Sequence, residues 1–166
     1  KLLSMKNRIG QGFDAHKLKV GTPLTIGGVS IPNSKGSEGH SDGDVLYHAI
    51  VDACLGAIAQ GDIGQHFPSS DNKWKNENSQ IFLEKAKSVI IAKGYSINNI
   101  DSTIILQTPQ INSYINKMRQ NIANIFSIPI DDVSVKATTT DKLGFIGSED
   151  GIAAMANVSI SQSNDK

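Results

Sequence analysis

Residues 152–160 place Ile152, Ala154, Ala156, Val158 and Ile160 at every second position, the period of a strand with one buried face. Val133–Thr139 alternates similarly, and Ser102–Gln107 (STIILQ) reads as a strand with a continuous apolar centre. Arg8–His16 is expected to be a strand pairing nearby in sequence, and Leu24–Ile31 (LTIGGVSI) a tight hairpin turning at Gly27-Gly28. Three segments carry a helical period instead. Ser41–Ala59 opens with Ser41 as cap and Asp44 three residues on, an acidic counterpart of the capping box. Its apolar positions Val45, Ile50, Cys54, Leu55 and Ile58 leave a polar stripe of Asp44, His48 and Asp52. Ser79–Lys93 stops at Gly94. A third helix, from about Ile111 after Pro109, puts Ile115, Met118, Ile122 and Ile125 on one face. Gly61–Lys75 is rich in turn formers and is expected to be a loop. Strands alternating with helices predict an α+β fold, a two-layer α/β arrangement with one mixed sheet. Helices on only one face leave the other to be buried, and oligomerisation would do that.

Composition removes several function classes. The 166 residues suffice for one domain with a single core. Lys plus Arg and Asp plus Glu both number 16, so no net charge draws the chain to nucleic acid or to a membrane surface. No apolar run reaches the length of a membrane span. The lone Cys54, between Ala53 and Leu55, reads as a buried hydrophobe. Lys1–Asn7 lacks the apolar stretch of a secretory signal, and Met5 is the expected start.

Three groups of residues could carry chemistry. In Asp14-Ala15-His16, strand geometry points both polar side chains the same way, toward one ion. His48 falls one helical turn after Asp44, which could orient its imidazole. Alone, the first reads equally as an exposed strand edge, and the second as a helix start rich in Asp. Together they supply three zinc ligands and leave the fourth position for a substrate oxygen. In Lys136–Phe145, Thr138-Thr139-Thr140 offers hydroxyl and backbone donors to phosphate, and Asp141 offers a hard oxygen to magnesium. Strand propensity accounts for the threonines but not for their charged, glycine-bearing flank. His66 is expected to be solvated, and Trp74 to anchor its loop between Lys73 and Lys75.

The runs RIGQGFDAH, LTIGGVSIP, HSDGDVLYHAI, GDIGQHFP, VKATTTDKLGF and EDGIAA occur in that order. With them the chain resembles the 2-C-methyl-D-erythritol 2,4-cyclodiphosphate synthase family, as one domain from 8 to 161 between flexible termini, 1–7 and 162–166. The resemblance implies a step of the non-mevalonate isoprenoid pathway. In it the 2-phosphate of 4-diphosphocytidyl-2-C-methyl-D-erythritol 2-phosphate attacks the β-phosphate and expels CMP. It implies zinc on Asp14, His16 and His48, and magnesium (or manganese) on Asp141. It places His40 and Ser41 against phosphate, and Asp62, Ile63 and Gly64 against the erythritol hydroxyls. The cytidine and phosphate pocket would comprise Leu106, Gln107, Thr108, Pro109, Gln110, Ile111 and Asn112, together with Ala137, Thr138, Thr139, Thr140 and Phe145. His40, Ser41 and Thr139 would join the metal ligands in catalysis. The family is a homotrimer with sheets facing the threefold axis and active sites between subunits, in bacterial cytoplasm or plastid stroma. The chain departs from it at Asp141, where Glu is usual, at Ser148, where many members carry Arg, and at Ser69, where Asp is common. Taken without the resemblance, the residues also fit a zinc hydrolase of phosphate esters or amides. A non-enzymatic trimer that binds nucleotides or isoprenoid diphosphates is a further reading.

Overall fold

The computed structural model describes residues 6–39, 41–75 and 77–163. Met5 as the start, the role of His40 and the flexibility expected of 1–5 and 164–166 lie outside them. The chain runs β1 (Asn7–Val20), β2 (Leu24–Ile26), β3 (Val29–Ile31), β4 (Lys35–Glu38), α1 (Val45–Ala57), α2 (Ile63–His66) and α3 (Gln80–Ala92). It continues through β5 (Tyr95–Ile105), α4 (Ile115–Phe126), β6 (Val133–Thr138), α5 (Gly144–Gly147) and β7 (Gly151–Gln162).

Five strands form one mixed sheet in the order β4-β1-β7-β5-β6, and β2 and β3 form the expected hairpin. Among the described strands only β5 and β6 run parallel. Arg8–His16 does not pair nearby: β1 lies antiparallel to β7, from Asn7 opposite Ser161 to Lys17 opposite Gly151. β7 offers that long ladder because both its edges bear partners, β1 on one side and β5 on the other. Asn7, opposite Ser161 of β7, and Gln162, opposite Tyr95 of β5, lie in strands, where flexible termini are the expectation.

The alternation read in β7 is realised in full: Ile152, Ala154, Ala156, Val158 and Ile160 are completely buried. Ile100 and Ile104 of β5 and Val133 and Val135 of β6 join them in one core with Phe82, Leu83 and Ile90 of α3 and Met118 and Ile122 of α4. α1 packs on β1 and β7, α3 on β5 and α4 on β6. The opposite side of the sheet keeps Ile9, Phe13 and Met155 exposed, with Phe13 directly opposite Met155 in the β1–β7 register. Cys54 is buried, and burial pushes its thiol up.

Several boundaries differ from expectation. α1 begins at Val45 with Asp44 as its N-cap, accepting from the Tyr47 N–H, because the Ser41 hydroxyl is turned toward His48. β5 starts at Tyr95, seven residues before the apolar run, since its polar half also pairs with β7. A 3₁₀ turn at Asn112–Tyr114 precedes α4. Gly61–Lys75 is not wholly irregular: Asp62 caps α2, and Asp71 caps a 3₁₀ turn at Asn72–Trp74.

Candidate active site

Gly10, Gly12, Asp14 and His16 occupy alternate positions of β1 and share its helix-facing side. A Cβ at Gly10 would stand 1.8 Å from the Ala53 carbonyl oxygen, and one at Gly12 1.8 Å from that of Ala49. α1 therefore rests directly on the β1 backbone. His48, the residue before Ala49, is carried against the two polar side chains that follow the glycines.

His48 Nδ1 lies 3.2 Å from Asp14 Oδ2 and 3.2 Å from His16 Nε2, and His16 Nε2 lies 3.4 Å from Asp14 Oδ2. A tetrahedral ion with bonds of about 2.0–2.1 Å to nitrogen and oxygen needs donor atoms about 3.3 Å apart. The triangle has that edge. Among the described residues it is the one cluster of three or more metal-ligating side chains. His16 Nδ1 lies 2.9 Å from the Ala15 carbonyl, which can only accept, so its Nε2 presents a lone pair to the triangle. His48 Nε2 meets Ser79 Oγ at 2.8 Å and Ser41 Oγ at 3.0 Å.

Asp44 does not orient His48, as its position one turn earlier suggested. Its carboxylate faces the hairpin instead, accepting from the Gly27 N–H at 2.9 Å and the Gly28 N–H at 2.8 Å. Burial pushes this carboxyl up to about 6, against the pull of the Gly28, Tyr47 and Gly27 amides. Asp52, the third member of the polar stripe, takes the Ile63 N–H at 2.7 Å and so ties α2 to α1. Burial likewise raises the Asp52 carboxyl.

A cavity of about 220 Å³ adjoins the triangle, bounded by His16, Ser41, His48, Ile63, Gly64, Phe67, Ser69, Trp74 and Phe82. Its aromatic wall went unread in the sequence. Phe67 and Phe82 have ring centres 4.5 Å apart, and Trp74 meets Phe67 edge-on at 5.0 Å. The two phenylalanines gave no signal because one lies in a turn-rich segment and the other on a helix, 15 residues apart. Trp74 does anchor its loop, with Lys73 Nζ 4.5 Å from its ring centre. His66 is half-buried rather than solvated, its Nε2 2.8 Å from the Gln60 carbonyl. Asp62 stands exposed, its carboxylate capping α2 through the Gln65 N–H.

A second cavity, of about 230 Å³, opens where parallel β5 and β6 end. Leu106, Gln107, Pro109, Gln110, Ile111, Asn112, Ala137, Thr138 and Thr139 bound it. Thr108, Thr140, Phe145 and Asp141 are not among its walls. Thr140 Oγ donates to the Leu143 carbonyl at 2.7 Å, and Phe145 covers Gly151. Asp141 is exposed in the turn after β6, where its N–H donates to Thr139 Oγ at 3.3 Å. The register aligns Asp14, Ala154, Ile104 and Ala137 across four strands. Three strand spacings separate the triangle from the threonine cavity by about 14 Å within one chain.

Fold and site together define a two-layer α+β protein with three side chains able to hold one metal ion between its first strand and first long helix. The chain belongs to the YgbB family, which matches residues 7–161. It is 53% identical over 151 residues to the 2-C-methyl-D-erythritol 2,4-cyclodiphosphate synthase of Bacillus cereus, covering 91% of this chain and 96% of that one. A Plasmodium falciparum IspF in complex with CDP superposes with a TM-score of 0.84 at 42% identity, covering 95% and 97% of the two chains. The bifunctional IspDF of Campylobacter jejuni gives a TM-score of 0.92 at 40% identity, and this chain spans 43% of its length. Among the described residues no helix is long and apolar enough to cross a membrane.

Proposed function

We propose that this chain is a 2-C-methyl-D-erythritol 2,4-cyclodiphosphate synthase, closing 4-diphosphocytidyl-2-C-methyl-D-erythritol 2-phosphate onto itself with release of CMP. An oxygen of the 2-phosphate bonds to the β-phosphorus, and the bond from that phosphorus to the oxygen leaving with CMP breaks. The nucleophile is already an anion, so the chain needs no strong base; it must fold the substrate and balance crowded charge. The observation that carries this reading is the Asp14–His16–His48 triangle in a chain 53% identical to a synthase of that name.

Zinc suits the triangle, with two imidazoles and one carboxylate at tetrahedral spacing and a fourth position left for a phosphate oxygen. Bound there, it would supply Lewis acidity toward the β-phosphate. Asp141 offers the single carboxylate with which magnesium or manganese commonly completes a diphosphate site. In this reading His40 and Ser41 meet phosphate, and Asp62, Ile63 and Gly64 meet the erythritol hydroxyls beside the aromatic wall. Leu106–Asn112 and Ala137–Thr140 take the cytidine and its phosphates, with Phe145 beside them. The CDP bound by the Plasmodium relative supports a cytidine ligand.

The two cavities lie on different strands of one chain, so the substrate is best served by a triangle from one copy and a threonine cavity from its neighbour. A homotrimer built on the open sheet face provides that arrangement. Phe13 at 56% exposed and Ile9 at 76% support it, because isolated β faces seldom leave such side chains in water. The Bacillus relatives support a bacterial cytoplasmic setting.

The test is incubation with the diphosphocytidyl substrate, with and without a zinc chelator, following CMP and phosphorus NMR. Cyclic diphosphate appearing with CMP, and lost on chelation, is the expected result. A linear product with a free phosphate would instead mark a hydrolase, and no CMP from metal-loaded protein a binding module.

A further inference from the structure

We propose that Asp42 and Ser79 form a relay that sets which ring nitrogen of His48 carries the proton, making both positioning residues for the metal site. Ser79 is fully buried and stands at the N-cap of α3, yet its hydroxyl makes no capping bond to that helix. It faces His48 Nε2 at 2.8 Å and is hydrogen-bonded to Asp42 Oδ1.

The polarity of this chain of groups follows from what each can give. A carboxylate has no proton to donate. Asp42 is held as an acceptor throughout, taking the Ser79 backbone N–H at 3.0 Å on Oδ2 and the Asp44 N–H at 3.1 Å on Oδ1. The Ser79 hydroxyl proton is therefore committed to Asp42, and only its lone pairs remain for His48. Nε2 must carry the imidazole proton and donate it to Ser79 Oγ. Nδ1 is then left with its lone pair aimed at Asp14 Oδ2 and His16 Nε2. Ser41 Oγ lies 3.0 Å from His48 Nε2 and 3.2 Å from Ser79 Oγ; it donates to the second Ser79 lone pair rather than to Nε2, because a bare Nε2 would face the Ser79 lone pairs at 2.8 Å.

His16 is held by the Ala15 carbonyl in the same sense, so both imidazoles turn a bare nitrogen to the triangle. Without the relay, His48 could put its proton on Nδ1, where it would occupy the place of the ion. A buried serine turned from its own helix to a histidine on another thus has a defined task.

The relay rests on the metal reading of the triangle. Zinc affinity by chelator competition and nitrogen-15 NMR of labelled histidine test both on the whole protein. The wild type is expected to bind zinc through His48 Nδ1 and to show a slowly exchanging proton on Nε2. Ser79→Ala and Asp42→Asn should each weaken zinc binding about 10- to 100-fold and lose the protected proton. If both variants stay folded and bind zinc as tightly as the wild type, the relay is overturned and the triangle stands. A wild type that takes up no zinc overturns both. Should one variant fail to fold, the other and the wild-type spectrum decide: a wild-type Nε2 without a protected proton overturns the relay.

Discussion

Gly12 and Ala49 touch through their backbones: a Cβ on Gly12 would fall 1.8 Å from the Ala49 carbonyl oxygen. Neither residue bears a chemical group, yet their approach sets how closely α1, and with it His48, meets β1. Gly12→Ala must push the helix away from the strand. It should cost about 3 kcal/mol in urea unfolding, at the upper end for an overpacked core, and weaken zinc binding together with stability. Unchanged unfolding and zinc affinity would show that the interface yields without moving the ligands.

His48→Ala removes one of three donors from a site near the surface. The variant should stay folded by circular dichroism, lose stoichiometric zinc by metal mass spectrometry, and lose CMP release. Retained stoichiometric zinc would remove His48 from the ligand set.

Asp141 lies apart from the triangle, so Asp141→Ala should keep zinc while the dependence of rate on magnesium disappears. Asp141→Glu should retain that dependence, since it preserves the carboxylate and restores the residue usual in the family. A magnesium titration unchanged in the alanine variant would take Asp141 out of the mechanism.

Asp44 should make stability depend on pH in a direction opposite to that of a salt-bridged carboxylate. Its carboxyl is raised from 3.8 to about 6 by burial, so the folded state holds the proton more tightly than the unfolded chain. The resulting stabilisation is fully present below pH 3.8 and is lost as pH rises through about 6, by up to about 3 kcal/mol. The stability difference between wild type and Asp44→Asn in metal-free protein should therefore fall between about pH 4 and pH 6 and level off above. Chemical denaturation across that range checks the sign.

Phe13→Asp places a charge opposite Met155 on the open face of the sheet. Sedimentation velocity should show the wild type as the proposed trimer and this variant dissociated, with CMP release lost at the same time. A variant that stays trimeric would move the interface elsewhere.

The strands and helices were legible because they depend on local period. Ile152 to Ile160 alternate, and Met118 and Ile122 fall on one face, and each pattern is buried as the spacing requires. The Asp14 and His16 pair was likewise legible, since two positions on a strand share a side whatever surrounds them. Tertiary structure alone decided what meets them. β1 found β7, more than a hundred residues away, because ladder partners are chosen by the assembled sheet and not by proximity in sequence. Asp44, adjacent to His48 by helical spacing, is claimed by the amides of Gly27 and Gly28, while Ser79, 31 residues from His48, reaches its ring. Periodicity gives the side on which a group points; which partner waits there depends on backbones packed at glycines and on buried donors competing for acceptors.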